Sequence, residues 1–171
     1  TDADYNVAVG TVALSTDTLG SRSTAIGYNT LANQNFTSAT DTHNTAVGFH
    51  AGLSVTTGTT NTLIGGLVGD ALTTGNSNVA MGYSALSADT LGDRAVAVGL
   101  NALASQNFTS STDNYNVGVG YQAGYAITTG IQNTLIGALA GDALADADDN
   151  VAVGQGTLTN DTAGSRSTAV G

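Results

Sequence analysis

The chain contains no cysteine, proline, tryptophan, lysine or glutamate. Without cysteine there is no disulfide framework and no Cys-ligated zinc or iron–sulfur centre. Three arginines are the only bases against thirteen aspartates, for a net charge of −10. So few cations cannot neutralise a run of phosphates, which excludes nucleic acid as a partner. An anionic membrane surface would also repel the chain. No apolar run approaches the ~18 residues of a membrane span, so direct insertion of this segment is excluded as well. At 41% hydrophobic residues the chain is nevertheless too apolar to read as disordered.

What the chain does have is repetition, the first thing to look for in a sequence of this composition. A five-residue phrase ending in glycine recurs as NVAVG, NTAVG, NTLIG, NVAMG and NVGVG, with the variants STAIG, AVAVG and STAVG. Its final glycines are Gly10, Gly27, Gly48, Gly65, Gly82, Gly99, Gly120, Gly137, Gly154 and Gly171. Successive anchors are spaced by 17, 21, 17, 17, 17, 21, 17, 17 and 17, so four coils make a super-repeat of 72. ALSTDTLGSR at 13–22 returns as ALSADTLGDR at 85–94, and NQNFTSATD at 33–41 as SQNFTSSTD at 105–113.

Columns read from these anchor glycines predict the coil. Three residues before the glycine, every residue is Val or Thr; one before it, every residue is Val, Ile or Met. β-Branched residues favour a pleated backbone, so the phrase predicts a short strand ending at a bend. A second short strand is expected after the glycine, as in Tyr83-Ser84-Ala85-Leu86-Ser87. A turn follows, in which a glycine such as Gly58 would supply positive φ. Stacked in parallel ~4.8 Å apart, about ten such coils form a rod on the order of 45 Å long. The expected fold is therefore an all-β parallel β-roll or β-solenoid, a single repeat region over 1–171. The chain reads as a fragment of a longer fibrous protein, because it begins inside one super-repeat and ends just after a strand.

Asn6, Asn44, Asn61, Asn78, Asn116, Asn133 and Asn150 open seven of the phrases. Asparagine suits turns and can bond its neighbours between coils, so a structural role is expected for this column. The same role is expected for Gly10, Gly48, Gly65, Gly82, Gly120, Gly137 and Gly154. Leu63 and Leu135 replace the usual small middle residue where the residue after the anchor is small (Gly66, Ala138), which suggests volume traded within a coil. The strand is apolar on both faces, with Val7 and Val9 on one and Ala8 on the other. A strand buried on both faces needs two partners. A two-strand coil supplies one, so association of chains along the rod is expected.

On these residues the chain resembles the head repeats of YadA-like trimeric autotransporter adhesins; similar repeats occur in phage tail-fibre shafts. The resemblance covers essentially the whole chain, although its short and long coils both exceed the usual head repeat. It implies a left-handed roll and a homotrimer. It also implies an extracellular location, on a cell surface or a virion fibre, and attachment to a glycan or protein receptor.

The histidines, His43 and His50, do not recur in the next super-repeat, and no clustered carboxylate pair or Ser–His–Asp arrangement repeats. An enzyme is not expected, and no cofactor is called for apart from calcium. The calcium candidates are the alternating oxygens of Asp146 and Asp148, echoed by Asp2 and Asp4, beside the plainer reading of solvated turns. Asp17, Asp89 and Asp161 each lie five residues before Arg22, Arg94 and Arg166, which suggests an ion pair, either within a chain or between chains. The two longer spacings carry inserts running from Gln34 to Asp41 and from Gln106 to Asp113. Protruding loops on a rigid scaffold are where binding sits, so Phe36, Thr37, Asp41, Phe108, Thr109 and Asp113 are the binding candidates. The rings of Phe36 and Phe108 are expected to fold back over a roll edge, leaving binding to the loop tips. The function read from the sequence is a structural and adhesive segment of an extracellular fibre. The alternative is an ice-binding or purely structural solenoid filament.

Overall fold

A computed structural model describes residues 3–171, and among them it contains fourteen strands and no helix. Ten are three-residue strands, one per phrase: β1 (Val7–Val9), β3 (Thr24–Ile26), β5 (Thr45–Val47), β6 (Thr62–Ile64), β7 (Val79–Met81), β9 (Val96–Val98), β11 (Val117–Val119), β12 (Thr134–Ile136), β13 (Val151–Val153) and β14 (Thr168–Val170). They form one parallel sheet in chain order. Each pairs with the strand at the same place in the adjacent coil, as Val79 does with Val96 and Val96 with Val117. The other four strands have two residues each: β4 (Thr40–Asp41) and β10 (Thr112–Asp113) of the long coils pair with β2 (Gly20–Ser21) and β8 (Gly92–Asp93) of the short coils before them. The molecule is a parallel β-solenoid of about ten turns.

In the three-residue strands between the two terminal ones, the middle residue points into the roll and its two neighbours point out, as the two-residue period of a strand requires. Ala25, Ala46, Leu63, Ala80, Ala97, Leu135 and Ala152 are fully buried. Val7, Val9, Ile26, Met81, Ile136 and Val170 are exposed. The anchor glycines from Gly10 to Gly154 have φ between 128° and 142°. A Cβ at Gly48 or Gly82 would be driven into the carbonyl oxygen of the next anchor, Gly65 or Gly99. Stacking and backbone conformation both demand glycine there, which accounts for its recurrence in coil after coil.

The segment after the anchor is not a second strand. Ser84 and Leu86 have φ of 53° and 55°, in the left-handed region, and the same two positions repeat this along the chain, as at Asn29 and Leu31 or Asn101 and Leu103. The Ser84 N–H donates to the Gly66 carbonyl of the coil on one side, at 3.0 Å, and the Leu86 N–H to the Ala102 carbonyl of the coil on the other, at 3.0 Å. This wall is a run of tight turns that hydrogen-bonds in both directions along the stack without an extended backbone. The turn glycine Gly58 is likewise not at positive φ. Its missing side chain makes room for the Gly75 carbonyl, and Ala147 occupies the equivalent place in a later coil.

The volume exchange also differs from the sequence reading. Leu63 lies inside the roll, whereas Gly66 lies outside, beside the Tyr83 ring. The true exchange is between the fourth and seventh residues after each anchor. Where the fourth is Leu (Leu14, Leu31, Leu86, Leu103, Leu158) the seventh is polar: Asp17, Gln34, Asp89, Gln106, Asp161. Where the fourth is Gly (Gly52, Gly69, Gly124, Gly141) the seventh is aliphatic: Val55, Leu72, Ile127, Leu144. A Cβ at Gly52 would lie 2.8 Å from Leu63 and 2.9 Å from Leu31, and one at Gly141 would lie 2.8 Å from Leu135 and 2.9 Å from Leu144. These leucines fill the space that the glycines vacate, at the density an interior requires.

Candidate functional site

The Asn column is a continuous internal ladder. Apart from Asn6, which is half-buried, its members are buried. Each carbonyl accepts the backbone N–H of the equivalent residue one coil on: Asn61 N–H to Asn44 at 2.9 Å, Asn78 N–H to Asn61 at 3.0 Å, Ala95 N–H to Asn78 at 2.8 Å. The amide donates across the coil to a turn carbonyl, as from Asn61 to Gly75 and from Asn78 to Gly92, both at 2.9 Å. The asparagines thus bond mainly to backbone rather than to one another, although Asn150 does donate to Asn133 at 3.1 Å.

The ladder lacks its asparagine at Ser23 and Ala95, where the long coils begin. There Gln34 and Gln106, both fully buried, enter the interior. Gln34 donates to Asp17 at 2.6 Å and accepts from Asn44 at 2.8 Å; Gln106 donates to Asp89 at 2.6 Å and accepts from Asn116 at 2.8 Å. The small residues at 23 and 95 leave room for these glutamines. Asp17, Asp89 and Asp161 therefore do not pair with the arginines. They close the turns by accepting the N–H groups of Gly20, Gly92 and Gly164 at 2.8, 3.0 and 2.7 Å. Burial pushes the Asp89 carboxyl above the usual range, against the opposing pull of its bonds to Gln106 and to backbone. Burial raises Asp70 too, against a backbone bond and the nearby His50, and one Asp70 oxygen is buried without a partner.

The inserts are split in two along the chain. Thr18 and Thr90 bond the side chains of Asn35 and Asn107, at the offset of a short coil. The offset has grown by three where Gly20 and Gly92 pair with Thr40 and Thr112, and by four where β3 and β9 pair with β5 and β11. Three extra residues thus lie before Thr40 and Thr112, and one more follows Asp41 and Asp113. Phe36 and Phe108 are folded inward, 7% and 5% exposed, and present no ring for stacking. Thr37, Asp41, Thr109 and Asp113 are exposed. Arg22 pairs with Asp41 at 2.9 Å and lies over the Tyr5 ring; Arg94 pairs with Asp113 and lies over Tyr115; Arg166 pairs with Asp149 at 3.7 Å. Each arginine reaches a neighbouring coil, so the pairs pin coil to coil. Just after the anchors Gly27 and Gly48, exposed Tyr28 and Phe49 and half-buried His50 form a stack, with 3.9 Å between the Phe49 and His50 ring centres.

The calcium candidates do not converge. Asp146 accepts from Thr128 and Thr129 at 2.5 and 2.9 Å, bonds that hold its carboxyl below the usual range. Asp148 accepts the Ile131 N–H at 2.8 Å. The Asp4 backbone N–H donates to Ser21, and Asp2 lies outside the described residues. Among the described residues no three His, Cys, Asp or Glu side chains gather into a metal cluster, and no helix is long and apolar enough to cross a membrane.

The feature most in need of a partner is the outward face of the ten-stranded sheet. It carries Val or Thr and Val, Ile or Met on every strand, flanked by Tyr28, Phe49, Tyr83, Leu100 and Tyr121. The strand period marks this face in the sequence already; the Asp–Gln interior, by contrast, lay in a column that sequence reasoning passed over. No family model matches the chain, and no curated protein or solved structure matches it.

Proposed function

We propose that this chain is a rigid segment of an extracellular fibre, a left-handed solenoid that assembles as a homotrimer and displays its insert loops for attachment to a surface. One observation carries the reading: a sheet ten strands long leaves an apolar outer face uncovered from end to end. Continuous apolar patches of this extent mark association surfaces. A face repeated at strand spacing fits a second and third copy in the same register. The resemblance to YadA-like head repeats points the same way, and the exposed insert tips recur along one edge. In a trimer, rings of three loops would bind a neutral glycan or protein surface with avidity; the aspartate-rich surface disfavours a polyanion.

Light scattering at several concentrations tests the assembly. Three times 16.8 kDa is expected, and a folded monomer overturns it. The same face suggests the second reading, because Thr24, Thr45, Thr62, Thr134 and Thr168 stand beside Val and Ile on a parallel sheet. An ice-binding filament would keep this face bare and show thermal hysteresis as a monomer.

A further inference from the structure

The exposed part of each insert opens with the same triplet, Asn35-Phe36-Thr37 and Asn107-Phe108-Thr109; Asn160-Asp161-Thr162 is the third Asn-x-Thr in the chain. In a chain rich in Asn and Thr such triplets arise from composition, so their number decides nothing. Their placement is informative. None of the seven ladder asparagines stands in an Asn-x-Ser/Thr triplet, whereas Asn35 and Asn107 are exposed. In both inserts the middle phenylalanine is turned inward, which sets the Asn and Thr before and after it on the outward side. The carbonyl oxygens of Asn35 and Asn107 are held by the Thr18 and Thr90 hydroxyls at 3.2 and 2.9 Å. Among the described residues their amide nitrogens and the Thr37 and Thr109 hydroxyls make no hydrogen bond. Each insert thus presents a fixed, outward amide with a free hydroxyl two residues on, the pattern that N-glycosylation requires of a surface loop.

We propose that Asn35 and Asn107 are acceptors for N-linked sugar, added by a glycosyltransferase from a phosphate-activated sugar donor. The side-chain nitrogen bonds to the anomeric carbon of the donor sugar as the bond from that carbon to the phosphate oxygen breaks. The phosphate leaves with the bonding pair, an amide proton passes to a base of the transferase, and nothing is oxidised or reduced. The two sites recur on the insert edge, so the sugar coats the face that carries Thr37 and Thr109. This inference stands apart from the trimeric assembly.

The test is peptide mapping by mass spectrometry of the chain purified from the cells that make it. A parallel arm uses the folded recombinant chain treated with an asparagine-specific N-glucosyltransferase and UDP-glucose. Added hexose is expected at Asn35 and Asn107 in both. Thr37→Val should abolish it at Asn35 alone and Thr109→Val at Asn107 alone, with the unfolding midpoint of the parent retained, because neither hydroxyl is bonded. Unmodified Asn35 and Asn107 in the native chain, or sugar accepted only after denaturation, overturns the proposal.

Discussion

At the scale of single residues, the stack is held by side chains that replace backbone bonds missing between coils. Asn78 is representative: its carbonyl accepts the Ala95 N–H and its amide reaches the Gly92 carbonyl, all within the interior. Asn78→Ala leaves both backbone groups buried and unpaired, at a cost of roughly 2–4 kcal/mol given the usual penalty for each orphaned group. Urea unfolding should register this as a lower midpoint, and an unchanged midpoint would show that water replaces the side chain. The acidic interior sets the pH response. Asp89 and Asp70 have carboxyls raised by burial, so the folded state holds their protons where the unfolded chain has released them. Their contribution to stability is full below the unfolded value of about 3.9 and is lost as pH rises through the raised values. Exposed Asp146 acts oppositely, its lowered carboxyl favouring the fold above that value. With the raised carboxyls of buried Asp89 and half-buried Asp70 set against the lowered one of exposed Asp146, the protein should withstand urea at least as well at about pH 4 as at about pH 7. Asp70→Asn should flatten the difference. Stability that climbs from about pH 4 to about pH 7 would show that burial does not control these groups.

At the scale of the element, each coil is one strand followed by a wall of turns, and the long coils are adapted for their inserts. Gln34 and Gln106 enter the roll where Ser23 and Ala95 interrupt the Asn ladder. Both glutamines precede the extra residues, at the offset of a short coil from Asp17 and Asp89, so deleting the four extra residues of each insert leaves these bonds in place. The plain deletion is therefore expected to unfold close to the parent. Ser23→Asn and Ala95→Asn in the parent chain set a second amide where Gln34 and Gln106 already lie, and should cost about 1–3 kcal/mol by overpacking in urea unfolding. An unchanged midpoint for these two substitutions would assign no role to the small residues at 23 and 95. The alternation of Leu with polar residues and of Gly with aliphatic ones was open to sequence reading, since it needs only column alignment. The positive φ of Leu86 and Leu103 was not. Leucine rarely adopts that conformation, and only the hydrogen bonds to coils on both sides hold it there.

At the scale of the whole molecule, the two faces of the sheet should respond differently to substitution. Ala97 is fully buried inside the roll, whereas Val98 belongs to the outer face. Ala97→Phe overpacks the interior and should cost about 1–3 kcal/mol or more. Val98→Asp leaves the coil intact but sets a charge on the uncovered face, and in the proposed trimer three such charges meet. The expected result is a folded chain of lower mass by sedimentation, with its circular dichroism retained. A trimer that tolerates Val98→Asp would move the chain contact elsewhere on the rod.

The sequence by itself determined the solenoid, the position of every long-sheet strand and the glycine on which each ends. Its two anchor spacings, combined with β-branched residues flanking a small one, admit no other regular stacking, because one residue of slip would turn the apolar pairs inward. For Phe36 and Phe108 it left two readings, binding and a fold back over the roll edge, and the tertiary structure turns both rings in. Tertiary structure alone decided the remainder. The wall after each anchor is made of turns because its peptide groups must serve two neighbouring coils. The arginines pair across coils, with Asp41, Asp113 and Asp149, because stacking brings distant residues closer than those five positions away. Asp89 became an interior group, and Asp17 a half-buried one, each bonded by a glutamine from the next coil, and such a meeting of coils appears in no single stretch of sequence.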